Sequence, residues 1–295
     1  MYVNKETLDQ FKSAREQCIM CRLIDGNIPA DPLFSNDNIV IFKEIKPKVN
    51  GQLYICTHTH YPLLAYVPFD ITKQLFGSIP QIVKQLQSQV ACTGTDVLIV
   101  AGGVAGQTVG HVKIDVYPRD ASDGVYDFMI KPKTTVEGKD MLTNNLSIML
   151  RNHARRNGVP PITPVKDYPD AIYQDNHCAV MCPEKGSTKG HLIVHSRVND
   201  NVQDWSVDHA AHVLYVASFA ATALFEGLGA QGTTILLRSG VSDRDGPCAI
   251  HVIARYPDDG CTIVPLTGGK NNTVKNLYLT FEEKKNVFDD LANLI

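Results

Sequence analysis

Asn38-Ile-Val-Ile-Phe-Lys-Glu-Ile-Lys-Pro-Lys-Val-Asn-Gly-Gln-Leu-Tyr-Ile55 sets two apolar runs around a turn containing Lys, Pro and Gly. That pattern predicts two antiparallel strands joined by a short loop. The chain writes the same plan again at His177-Cys-Ala-Val-Met-Cys-Pro-Glu-Lys-Gly-Ser-Thr-Lys-Gly-His-Leu-Ile-Val194. Gly51 and Gly190 hold equivalent places just before the second strand, where a residue without Cβ lets the backbone turn. Outward from each copy the order recurs. An apolar stretch at helical spacing covers 71–90 and again 207–228. A strand follows, at 96–101 and 233–238, and then a last one, at 111–117 and 249–254. Two copies of strand-strand-helix-strand-strand predict an α+β fold with antiparallel sheets.

Between the copies lie a helix expected at 139–156 and the extended spacer Val159-Pro-Pro-Ile-Thr-Pro-Val-Lys166. An amphipathic helix is expected at 280–295, with Phe281, Val287, Phe288 and Leu291 apolar. The organisation predicted is a first domain over 1–120, a helix and Pro-rich connector over 121–167, and a second domain over 168–295.

With 295 residues the chain can hold two ordinary domains. Its net charge of −3 gives no overall pull on a polyphosphate backbone. The longest apolar stretch, 210–228, is interrupted by His212, Ser218, Thr222 and Glu226, so no membrane span is expected. Residues 1–16 lack the apolar centre of a secretion signal. The eight cysteines do not read as a disulfide framework, which favours a reducing, intracellular and cytoplasmic setting. His177, Cys178, Cys182, His191 and His195 fall on adjacent predicted strands of the second copy, where strand cysteines read as core rather than ligands.

Two further stretches carry chemistry. One is Cys18-Ile-Met-Cys21, followed by Gly26 and Ile28-Pro29, with Cys56-Thr-His-Thr-His60 after the first hairpin. Read alone, the Cys pair suits either a metal or a redox role, and a histidine there can equally cap a turn. The other is Gly106-Gln-Thr-Val-Gly-His-Val-Lys-Ile-Asp-Val-Tyr-Pro-Arg119. It resembles the signature of the histidine triad (HIT) family, Gly-Gln-x-φ-x-His-φ-His-φ-His-φ-φ-Pro-Arg, where φ is apolar. His111 keeps the first histidine, whereas the nucleophile position is Lys113 and the third is Asp115. In the second copy the three positions read Pro247, Ala249 and His251.

The resemblance implies a tandem, fused pair of degenerate HIT-like domains forming a pseudo-dimer in one chain. Its architecture is also similar to the galactose-1-phosphate uridylyltransferase branch. It implies zinc as cofactor, with Cys18, Cys21, His60 and His111 as ligands, a closed four-coordinate set of soft and borderline donors. In the family the middle histidine attacks the α-phosphate; neither copy here keeps it. A lysine two residues from an aspartate on a strand shares its face and is expected to pair with it. The resemblance further implies a nucleotide-binding role for Glu44 (ribose hydroxyls), Gln107, Thr108 and Lys113, while the family's asparagine is Val100 and the second copy has Pro183 in place of Glu44.

The leading expectation is a catalytically inactive, zinc-stabilised HIT-like pseudo-enzyme that binds a nucleotide-like ligand or a partner. Two alternatives stand beside it. One is a hydrolase or transferase of nucleoside phosphoramidates or dinucleotides with a non-histidine nucleophile. The other is a scaffold subunit of a protein or ribonucleoprotein assembly.

Overall fold

The computed structural model describes residues 5–90, 92–120, 125–126, 134–135, 139–156, 168–198, 201–240, 248–261 and 266–267. The helix expected at 280–295, the Pro-rich spacer and Pro247 lie outside them. The first half runs α1 (Lys5–Arg15), α2 (Ile19–Ile24), β1 (Phe34–Ser35), β2 (Ile39–Lys43), β3 (Leu53–Thr57), α3 (Phe69–Gly77), α4 (Ile79–Val90), β4 (Gly94–Ala101) and β5 (Lys113–Arg119). Between the halves come β6 (Val125–Tyr126), β7 (Thr134–Thr135) and α5 (Lys139–Arg156). The second half runs β8 (Tyr173–Gln174), β9 (Cys178–Met181), β10 (Lys185–Gly186), β11 (Leu192–Ser196), α6 (Val207–Leu228), β12 (Gly232–Gly240), β13 (Ile250–Arg255) and β14 (Leu266–Thr267).

Ten strands form one antiparallel sheet in the order β1-β2-β3-β5-β4-β12-β13-β11-β9-β8. The order reads the same from either edge once the halves are exchanged. The register at the seam shows why. Leu98 pairs with Asp115 on β5, and Leu236 pairs with His251 on β13. Asp115 and His251 are the matching motif positions, so Leu98 and Leu236 are equivalent, and they face each other across β4 and β12. Equivalent residues meeting is the mark of a two-fold, isologous contact. The expected pseudo-dimer is therefore a continuous sheet.

One sheet face carries the main core. Ile41, Leu53, Ile55, Ile114 and Val116 pack there with Leu75, Phe76 and Ile82 of the helices, and Leu192, Val194, Ile250 and Val252 do the same with α6. The helix expected over 71–90 is two, α3 and α4, meeting at Ser78. Pro80 accounts for the break, since it has no N–H to bond the carbonyl four residues back and its ring crowds that carbonyl. Gly77 also sits so close to α6 that a Cβ there would lie 2.7 Å from Val207. α6 is capped by the Ser206 side chain, which accepts from the His209 N–H, and by left-handed Gly229. It is long and apolar enough to cross a membrane by length and composition, but it lies along the sheet with Ala210, Val213, Leu214, Ala217 and Leu224 in the core.

The hairpin glycines repeat in three dimensions. Gly51 has φ +77° and Gly190 has φ +95°, both in the left-handed region. A Cβ would lie 2.9 Å from Val90 at the first and 2.5 Å from Leu228 at the second, each the last residue of a helix. The opposite sheet face is polar toward its ends and carries the chemistry. Strand alternation places Lys113, Asp115 and Tyr54 there, and likewise His191 and His251.

Candidate metal centre and degenerate triad site

α2 begins immediately after Cys18, so Cys18 and Cys21 are one helical turn apart on the same side. His60 follows the end of β3, and His111 precedes β5. The four side chains are buried and offer ligand atoms all within 4.8 Å of one another. Nδ1 of His111 is 3.5 Å from the Sγ of both Cys18 and Cys21, and Nδ1 of His60 is 3.3 Å from Cys21 Sγ. A tetrahedral zinc with ordinary Zn–S and Zn–N bonds spans roughly 3.5 Å between a sulfur and a nitrogen. The donor set and its spacing therefore fit such an ion.

The surroundings orient the ligands. Thr57 O lies 2.8 Å from His111 Nε2 and accepts its proton, which leaves the Nδ1 lone pair facing the sulfurs. Arg15, paired with Asp25, donates to His58 O at 3.2 Å and holds the turn before His60. Burial pushes the Cys21 thiol up to about 12, with Cys18 adding to the effect, and takes His111 down to about 4. The imidazole is thus in its ligating, neutral form, and only a cation compensates a thiolate at such a depth. The four predicted ligands come together, which makes a buried site able to hold a metal ion.

The positions that the sequence motif assigns to the triad are filled by an ion-paired cluster. Lys113 Nζ lies 2.8 Å from Asp115 Oδ1 and 3.2 Å from Glu44 Oε2, and 4.7 Å from the Tyr54 ring centroid. Burial alone would lower the Lys113 pKa, but Asp115 and Glu44 outweigh it and the pKa is raised. The ammonium is held charged and has no free electron pair for attack. Burial raises the Asp115 pKa, tempered by Lys113, and Gln52 approaches the same carboxylate at 3.5 Å. Of the residues expected to read a nucleotide, Glu44 and Lys113 meet each other. Gln107 is spent on its own loop: its Oε1 accepts from Gly102 N, and its Nε2 donates to Pro62 O and Val109 O. Thr108 is exposed.

In the second half Ala249 is buried, and His251 Nδ1 lies 3.0 Å from His191 Nε2. Cys178 is in the core with Cys182 packed against it, and His195 stacks on Tyr168. His177 instead meets His209 and His212 of α6. The only sequence signal for that group was the His-x-x-His spacing inside an apolar helix.

Residues 25–122 match the model of the HIT domain. Residues 25–122 are thus similar to a HIT domain. Relatives of the chain include an uncharacterised HIT-like protein of Methanocaldococcus jannaschii, 29% identical over 107 residues, covering 36% of this chain and 82% of that protein. An adenosine 5'-monophosphoramidase of Candida albicans is 26% identical over 111 residues, 36% of this chain and 73% of that one. Cys18 and Cys21 lie just before the matched HIT segment. A GalT-like protein of Arabidopsis thaliana shares the fold of both halves, with TM-score 0.53 and 9% identity over 90% of this chain and 89% of that one. An ADP-glucose phosphorylase from the same plant, solved with ADP-glucose, has TM-score 0.52 and 9% identity over 77% of this chain and 76% of its own. The segment that matches the HIT domain is thus joined to the second half through one sheet.

Proposed function

We propose that this chain is a HIT-family pseudo-enzyme whose first half is held by zinc and whose former catalytic pocket binds a nucleotide-like ligand without turning it over. The observation that carries the reading is Lys113, clamped between Asp115 and Glu44 where the family places its nucleophile. Relatives that act on nucleotides support a nucleotide-related role.

Zinc, when bound, supplies a closed four-ligand crosslink with no open position for substrate, a structural role. Cys18 and Cys21 bring α2 to it, and His60 and His111 bring the ends of β3 and β5. The residues of the pocket then set the ligand class. Glu44 spends Oε2 on Lys113 and Oε1 on Lys46 N at 3.2 Å, yet each carboxylate oxygen can accept a second bond, as a ribose diol requires. Two carboxylates against one ammonium leave the spot acidic, which opposes a phosphate there. The pocket therefore favours the nucleoside part of a nucleotide.

The test is a thermal-shift titration of metal-analysed protein, with assay of a nucleoside phosphoramidate. A shift with adenosine at least as large as with AMP, lost in Glu44→Ala, and no turnover, is the expected result. Turnover abolished by Lys113→Ala would overturn it. The domain limits 1–120, 121–167 and 168–295 belong to the same proposal, and limited proteolysis within 121–167 would test them.

A further inference from the structure

Over the seam between the halves, on the helix-covered face of the sheet, lies a cavity of about 200 Å³. Ile99 and Ala101 of β4 and Thr233 and Ile235 of β12 form its floor. Ser218, Ala221 and Thr222 of α6 make one wall, and the short turn Leu64–Tyr66 makes the other. Phe225 stands at the mouth, 42% exposed. The two-fold that relates Leu98 to Leu236 gives this place a counterpart. The same spacing along the chain carries α3 and α4 onto α6, the turn Leu64–Tyr66 onto Val202–Asp204, Val83 onto Ala221 and Ala101 onto Ser239. At the counterpart Val83, Val202 and Trp205 lie in the core, and Val202 N donates to Ser239 Oγ at 3.1 Å. At the cavity Ala221 lacks the methyl branches of Val83, and Ala101 has no hydroxyl to draw the turn onto the strand. The residues that close the counterpart are the ones replaced here, so the hollow has a cause in the sequence.

We propose that this cavity is a binding site for a small, uncharged, largely apolar molecule of the size of benzene to indole. Among the described residues that line it, none carries a charge, so an ionised ligand would lose its hydration without compensation. The hydroxyls on the α6 wall are already spent within the helix. Ser218 Oγ donates to Tyr215 O at 2.7 Å, and Thr222 Oγ1 donates to Ser218 O at 3.0 Å. Water therefore finds few partners there, and apolar contact is favoured. Size agrees, since an apolar cavity of about 150 Å³ takes up benzene. The mouth supplies aromatic surface from Phe225 and Tyr66, and the Tyr66 ring is backed by Phe11 of α1 at 5.1 Å between centroids. Apolar walls, satisfied hydroxyls and one open side are the ordinary form of a small-molecule site. Ile99 and Ile235 belong to the main core face, opposite Lys113 and Asp115, so this site is separate from the pocket that takes a nucleoside.

Titration of the full chain with indole, followed by NMR of the isoleucine methyl groups, tests the site. Shifts centred on the methyls of Ile99 and Ile235, with a Kd of about 1 mM or tighter, are expected. Ala221→Leu pushes a larger side chain into the cavity and should abolish them. Phe225→Ala, at an exposed position, should weaken binding about fivefold and leave the fold intact. Indole-3-acetate, which adds a carboxylate to the same ring, should bind at least about tenfold more weakly. Absence of those shifts in the native chain, shifts unchanged by both variants, or a carboxylate analogue that binds as well as indole would each overturn the proposal. Should circular dichroism show that Ala221→Leu fails to fold, Phe225→Ala and the charged analogue decide it.

Discussion

The two halves share a sheet plan and residue register, yet they fill the same place with opposite chemistry. In the first half Gln52 and Asp115 stand together with Lys113 and Glu44 in a charged plug. In the second half His191 takes the place of Gln52, His251 that of Asp115, and the remaining positions are Ala249 and Pro183, so two buried imidazoles share one hydrogen bond. The backbone tolerates either filling because the site lies on the sheet face away from the main core. What it requires is that buried polar groups find partners. The lesson is that one sheet plan can hold two quite different fillings of the same place.

The largest expected contrast comes from the metal ligands. Cys21→Ser removes a ligand that only the first half has and should cost the chain about 3 kcal/mol or more, read by chemical denaturation. Cys178→Ser, buried in the second-half core, should cost about 1–3 kcal/mol and leave the cysteine–histidine metal centre intact. Equal losses, with the metal retained in both, would remove the distinction between the halves.

Next in size is the plug. Asp115→Ala leaves Lys113 half-paired in a largely buried place and should cost about 2–3 kcal/mol. His251→Ala leaves His191 one partner, the Ser187 N–H at 3.2 Å, and should cost less. Equilibrium unfolding of the two variants side by side decides the ranking.

The hairpin glycines should behave alike. Gly51→Ala and Gly190→Ala each place a Cβ at positive φ against the end of a helix, and each should cost about 1–2 kcal/mol. A cost in only one would show that the two turns are not equivalent in energy.

The smallest effect is in pH. Burial, with His251 adding to it, takes the His191 pKa down to about 3, below its unfolded value of about 6.5. The unfolded chain therefore binds more protons in that window, and stability is full above pH 6.5 and falls as pH drops toward 3. His191→Gln, which imports the first-half residue, should remove about 1 kcal/mol of the loss between pH 7 and 5.5. An unchanged slope of stability against pH would mean that other groups carry it.

Much of the architecture was legible because periodicity and turn residues act locally. The repeat, the helix at Lys139–Arg156 and the one at Val207–Leu228 follow from spacing and composition. Cys18, Cys21, His60 and His111 were found because they sit at fixed offsets around recognisable motifs. The break at Ser78 was missed because the apolar spacing continues through it, although Pro80 marked it. Glu44 was assigned to a ribose from its motif position alone; that it also meets Lys113 needed the approach of the loop after β2 to β5.

By itself, the sequence determined the alternation, the helical stripes, the doubled plan and which residues stand at the motif positions, since each depends on neighbours within a few positions. Only the tertiary structure decided which edges join, and it chose β4 against β12 so that equivalent leucines meet. It alone brought His177 to His209 and His212, and His191 to His251. Those pairings depend on sheet closure and on how α6 lies across it, which are long-range consequences of burying one apolar face and leave no periodic trace in the chain.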